Sequence, residues 1–260
     1  MLCREIIQVI EATYPADAAL DFDNVGLLAG RREKEVQKVY LALDATEAVI
    51  HDAIRAGADM LITHHPLIFS PLRSVTDDDF VGRRVMTLIR NDMAYYAMHT
   101  NYDVLGMAAL SEQILGLRDT EVLDVTMVRD GREEGIGRVG NLEREMTLEE
   151  CCVDIKHKLH LGSLKVFGDM ERKISRLAIS PGSGKSAVAP AAAKGADVLV
   201  TGDIGHHDGL DAQAQGLAVI DAGHYGTEYI FIDDMKRFFD RKMPGVEATA
   251  APVVHPFQVV

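Results

Sequence analysis

"AGADMLIT" (Ala56–Thr63) returns almost residue for residue as "KGADVLVT" (Lys194–Thr201). The surroundings repeat too. "VYLALDATEAVIHDAIRAGADMLITHHP" (Val39–Pro66) and "SRLAISPGSGKSAVAPAAAKGADVLVTGD" (Ser175–Asp203) each read as an apolar strand, a loop, an alanine-rich helix, Gly-Ala-Asp and a second strand ending in threonine. The echo continues in "NDMAYYAMHTNYD" (Asn91–Asp103) and "QGLAVIDAGHYGTE" (Gln215–Glu228), where a short strand leads into polar side chains. Two successive strand–helix–strand–helix–strand patterns predict an α/β fold with internal βαβ duplication. The sheets should be mixed but mostly parallel and flanked by helices. Ligands of such folds bind beyond the carboxyl ends of the strands.

The stretch between the repeats is rich in charge and glycine, and places a boundary near Val125: a first α/β lobe over 1–125 and a second over 126–260. Within the second, "MTLEECCVDIKHKL" carries a capping box, Thr147 with Glu150 three residues on. The chain has 260 residues, 47% of them apolar and 26% charged, enough for a sizeable core. Its net charge of −13 argues against nucleic acid as a partner. Cys3, Cys151 and Cys152 do not form a disulfide framework, which suits a reducing cytoplasm. The amino-terminal "MLCREIIQVIEA" reads as an amphipathic helix with Leu2, Ile6, Val9 and Ile10 inward, not as a signal peptide. No apolar run is long enough to span a bilayer.

The first repeat drives "MLIT" into His64, His65 and Pro66. Adjacent strand residues point to opposite faces, so two histidines at a strand end reach two different points. His224 and Glu228 lie one helical turn apart and share a face, ahead of the apolar stripe Phe231, Met235 and Phe238. A carboxylate at the head of such a stripe needs a cation or another partner. With Asp103, which ends the matching strand of the first repeat, the set is three imidazoles and two carboxylates. That mixture suits zinc, iron or manganese rather than calcium or magnesium. The expected wiring is a dinuclear site between the lobes, with His65 and Asp103 on one divalent ion, His64 and His224 on the other and Glu228 bridging. Paired ions activate water for hydrolysis.

The same residues carry a family likeness. "DNVGLLAG", "LITHHPLIF", "MHTNYD", "TGDIGHHDGLDAQ" and "DAGHYGTE" resemble, in order, the motifs of the Nif-three-like proteins, often called GTP cyclohydrolase I type 2 homologues. The resemblance covers nearly the whole chain. It implies a two-lobed α/β protein with a dinuclear metal centre, assembled as a homohexamer, and it gives the ligand role to His64, His65, Asp103, His224 and Glu228. Phe22 stands where the family often has tryptophan, and "VLGMAAL" replaces the usual glycine-rich continuation after "HTNYD".

Two further histidines are candidates for catalysis. His99 is a proton-transfer or supporting group, or a core histidine bonded to backbone. His207 follows the second-repeat strand where the first repeat has His64 and His65, and lines the crevice or a solvated loop. Asp23 and Asn24 contact the centre or form a turn. "SPGSGKSAV" lacks the first glycine of a P-loop, and forms a phosphate nest or a plain strand-to-helix turn. These features point to a metal-dependent hydrolase acting on a nucleotide-like small molecule. The rival is a metal-binding scaffold or regulatory protein.

Overall fold

The computed structural model describes residues 1–260, and the chain divides into two compact units: Met1–Tyr102 with Tyr229–Val253, and Asp103–Glu228 with Val254–Val260. In chain order unit 1 begins with α1 (Cys3–Glu11), β1 (Gly26–Ala29), β2 (Lys38–Ala42), α2 (Glu47–Arg55), β3 (Met60–Thr63), α3 (Phe80–Arg90), β4 (Ala94–Ala97) and α4 (Thr100–Tyr102). Unit 2 opens with a π-helical turn (Asp103–Met107) and α5 (Ala108–Leu115). It continues through β5 (Arg118–Arg129), β6 (Arg132–Thr147), α6 (Leu148–Lys158), β7 (Lys165–Phe167), β8 (Lys173–Ser183), α7 (Val188–Ala193), β9 (Val198–Gly202), α8 (His206–Ala214), β10 (Ala218–Asp221) and α9 (His224–Glu228). The chain then returns to unit 1 as α10 (Ile230–Lys242) and β11 (Glu247–Ala250).

The boundary expected near Val125 is thus corrected. Val125 lies inside β5, whose pairing with β6 runs from Arg118 to Arg129, so no break can fall there. The carboxyl-terminal part of the chain is shared between the units, and no composition shift marks a strand that pairs with a segment two hundred residues earlier.

Unit 1 is a five-stranded sheet in the order β1-β4-β3-β2-β11, parallel except for the β1/β4 pair. Tyr40, Ala42, Leu61, Tyr95 and Ala97 pack against Ile50 and Ala53 of α2 and Leu88 of α3. The alternate residues Val39, Leu41, Met60, Ile62 and Tyr96 are also buried, so the sheet is covered on both faces, as parallel sheets are. In α1 the buried residues are Cys3, Ile6, Ile7 and Ile10, with Ile7 taking the place expected for Val9. Unit 2 is a six-stranded sheet in the order β5-β6-β8-β9-β10-β7. Its β8-β9-β10 centre is parallel, whereas the β5/β6 hairpin and β7 add antiparallel edges. Its core gathers Leu123, Val139, Ala178, Leu199 and Val219 over Val188, Ala191 and Ala212. No helix is long and apolar enough to cross a membrane.

The duplication is visible in hydrogen bonds. β2/β3 pairs Val39 with Met60, and β8/β9 pairs Leu177 with Val198; β3/β4 pairs Thr63 with Ala97, and β9/β10 pairs Thr201 with Asp221. The Gly-Ala-Asp motif explains the likeness. Gly57 (φ +70°) and Gly195 (φ +67°) take the left-handed turn that ends a helix. Ala58 and Ala196 each donate N–H to a helix carbonyl, Ala53 O and Ala191 O, at 3.0 Å. Asp59 Oδ2 accepts from the backbone N–H groups of Gln37 (2.8 Å) and Lys38 (3.1 Å), and Asp197 Oδ2 from those of Ser175 (2.8 Å) and Arg176 (2.9 Å). Each aspartate therefore staples the beginning of one strand to the beginning of the next and aligns the two.

The capping box of α6 forms as expected: Thr147 Oγ1 accepts from Glu150 N at 3.1 Å, and Glu150 Oε2 accepts from Thr147 N at 2.8 Å. Thr147→Ala should lower the stability of unit 2 by about 1 kcal/mol, read as a shift in the urea midpoint with an unchanged slope.

Candidate metal centre

In unit 1 the parallel strands β3 and β4 end side by side and deliver three histidines. His64 and His65 follow Thr63, and His99 follows Ala97 by two residues. Their ligand nitrogens all lie within 4.8 Å of one another. The adjacent pair fans only partly: the two rings stay 5.0 Å apart at 47°. Buried Tyr95 holds the turn in shape. Its hydroxyl accepts from Leu67 N at 2.7 Å and lies 2.8 Å from Thr63 Oγ1 and 3.0 Å from the His65 carbonyl. Burial pushes the Tyr95 phenol up to about 12, so it stays protonated in this role. The His64 ring, fully buried, rests on Phe231 of α10 at 5.3 Å and on Tyr102 at 6.1 Å. Tyr102 in turn donates to Asp234 Oδ2 at 2.8 Å.

Each imidazole is oriented from behind. His64 Nδ1 faces the Met98 carbonyl, His65 Nδ1 faces Asp44 Oδ1 and His99 Nδ1 faces Asp23 Oδ1, all at 2.8 Å. An oxygen acceptor at Nδ1 fixes the proton there and leaves Nε2 as the lone-pair donor, the arrangement that metal-binding histidines use. Asp23 is more than a turn residue: it also accepts from Thr100 N (2.9 Å) and Thr100 Oγ1 (2.6 Å). Burial alone raises its carboxyl, but the hydrogen bonds from His99 and Thr100 outweigh this and hold it well below the usual carboxylate range.

A folded-state pKa below the unfolded value favours the native state at pH values above the ordinary aspartate pKa of about 3.9, and that gain is lost on acidification. The native protein should therefore lose stability more steeply below about pH 4 than an Asp23→Asn variant, as urea midpoints at neutral and acid pH would show.

Unit 2 supplies the carboxylates. His224 and Glu228 occupy successive turns of α9, with His224 Nε2 and Glu228 Oε2 3.1 Å apart. His224 Nδ1 faces Asp203 Oδ2 at 2.8 Å, the fourth histidine held this way. A carboxylate oxygen of Asp103 lies within 4.8 Å of one from Glu228. Two carboxylates within that distance concentrate negative charge that a cation would offset. Gly182, at φ +74°, forms the wall behind them: a Cβ there would meet Glu228 Oε1 at 2.3 Å and His224 Nε2 at 3.6 Å. Its N–H donates to Thr227 Oγ1 at 3.0 Å. The glycines of "SPGSGKSAV" thus serve close packing, since Gly184 lies flat against Thr201 and Lys185 pairs with Asp208 at 3.3 Å.

The structure brings His99 level with His64 and His65. It leaves His207 exposed on the first turn of α8, its ring 5.2 Å from that of His206. Sequence reading missed Asp44 and Asp203 altogether. Both stand just past a strand end, which was the one available signal.

The side chains gathered at the strand ends of unit 1, and the histidine and two carboxylates gathered in unit 2, are of the types that can hold a metal ion. The particular lineage follows from comparison. Residues 1–255 match the family model Duf34/NIF3 (NGG1p interacting factor 3), and the chain belongs to that family. A Clostridium perfringens protein named GTP cyclohydrolase 1 type 2 homolog is 39% identical over 231 residues, covering 88% of this chain and 87% of its own. The fold matches a Bacillus cereus protein related to NIF3 with a TM-score of 0.93 at 27% identity, covering 100% and 99% of the two chains. It also matches reduced HcgD from Methanocaldococcus jannaschii at 0.82 and 32%, covering 96% and 97%.

Proposed function

We propose that the protein is a divalent-metal-dependent hydrolase with a dinuclear centre, acting on a nucleotide-like small molecule in the sense of its relatives' name. His64, His65, Asp103, His224 and Glu228 would hold two ions, drawn from zinc, iron or manganese. The observation that carries this reading is the shared posture of four histidines, each with Nδ1 facing an oxygen acceptor at 2.8 Å, which supports coordination through Nε2. The donor chemistry agrees, since nitrogen and carboxylate ligands together select transition metals.

When bound, such ions polarise the substrate and lower the pKa of water toward neutrality. The side chains divide the remaining work. His99 accepts a proton at Nε2, and the Asp23 carboxylate behind it stabilises the imidazolium that results. His207, exposed on the first turn of α8, is the second proposed proton carrier. The chain works as a homohexamer, as the family resemblance implies.

The test is to load metal-free protein with zinc, manganese or iron, count bound ions by elemental analysis, and assay a panel of nucleotides and phosphoesters. About two ions per chain and turnover that disappears on chelation are expected. Full metal loading with no turnover across the panel would instead favour a scaffold that stores or senses metal.

A further inference from the structure

We propose that Phe22 and Phe69 form a stacking platform for the heteroaromatic base of the substrate, at the solvent end of the unit 1 histidine cluster. The proposal rests on the hydrolase reading and names the part of the ligand that this wall would take. Phe22 is 63% exposed and Phe69 50% exposed, yet their rings meet at 6.2 Å and 47°. Phe69 also turns an edge to His99 at 6.4 Å, and His99 touches His64 (5.3 Å) and His65 (5.7 Å). An unbroken series of ring contacts therefore runs from the histidine nitrogens out to water.

This exposure is imposed by the fold. Asp23, next to Phe22, has a fully buried side chain bonded to His99 and Thr100, which obliges Phe22 to point the other way. Asn24 Nδ2 donates to the Ile68 carbonyl at 2.5 Å and ties the two phenylalanine-bearing loops together. Leu67 N donates to Tyr95, anchoring the second loop from below. Two large apolar rings thus meet in water beside the histidine cluster, an arrangement that favours a flat partner through its π-face. The charge balance points the same way. At a net charge of −13 the chain offers little long-range attraction to an anion, which is consistent with recognition through a neutral base.

The chain has no tryptophan, so Phe69→Trp would install a sole indole as reporter. That variant, zinc-loaded and metal-free, is titrated with guanosine, GTP and ribose 5-phosphate. Guanosine and GTP should quench the emission saturably, and ribose 5-phosphate should not. Adding Phe22→Leu should weaken guanosine binding roughly 5- to 100-fold, the range expected for one stacked base, with zinc content unchanged. The proposal is overturned if base-containing ligands fail to quench, if Phe22→Leu leaves affinity unaltered, or if the ligand-free indole is blue-shifted and shielded from acrylamide, which would mean that another chain covers the pair. Guanosine carries no phosphate, so its quenching in metal-free protein reports the platform alone. A chain that binds no metal would defeat the hydrolase reading on separate grounds.

Discussion

Glu228→Gln should abolish metal retention and turnover while leaving the metal-free protein folded. His224 stands between two carboxylates, with Asp203 Oδ2 2.8 Å from Nδ1 and Glu228 Oε2 3.1 Å from Nε2. Two carboxylates around one imidazole concentrate negative charge, which a divalent cation offsets. The neutral amide of glutamine removes one of those charges and can donate N–H to Nε2, which competes with coordination. Loss of groups that merely orient ligands costs about 10- to 100-fold in metal affinity, and loss of the residue proposed as a ligand should cost at least the upper figure. Elemental analysis and urea melts of chelated protein separate the two effects. A variant that keeps its full complement of metal would remove Glu228 from the centre.

Gly182→Ala should damage the same place from behind, and here folding itself should suffer. A left-handed backbone costs a non-glycine residue about 1–2 kcal/mol. The added methyl would also press on Glu228 Oε1 at 2.3 Å, with the φ of +74° preventing the backbone from yielding cheaply. A total near 2–4 kcal/mol is expected, in the range of overpacked cores. The displaced carboxylate should take metal affinity with it. Alanine at Gly131, whose φ is also positive but which has open space at the Cβ position, gives the strain without the collision and serves as the comparison. Equal losses at both positions would show that the wall behind Glu228 has no special role.

Much of this was legible in the sequence because the duplication repeats chemistry as well as pattern. Gly-Ala-Asp marks a helix end and a strand start for reasons that act locally, so both repeats could be read from short windows. Polar residues after the strands stood out against apolar runs. Of the supporting aspartates only Asp23 reads as a candidate, for a contact or a turn. Asp44 and Asp203 lie in loops where aspartate is ordinary, and only the fold brings Asp23 to His99 across 76 positions. The unit boundary was hidden for a related reason. β11 belongs beside β2, with Glu247 opposite Lys38, a pairing that no local signal announces.

That strand has a consequence for biosynthesis. A ribosome delivers β1 to β4 early, but their sheet lacks its β11 edge and the α10 cover until residues 229–253 emerge. The half that is translated first is completed only after residues 103–228 have been made. Until then β2 presents an open edge flanked by apolar residues, the kind of surface on which nascent chains aggregate or recruit chaperones. Premature termination before Tyr229 should therefore yield insoluble product rather than a working amino-terminal fragment.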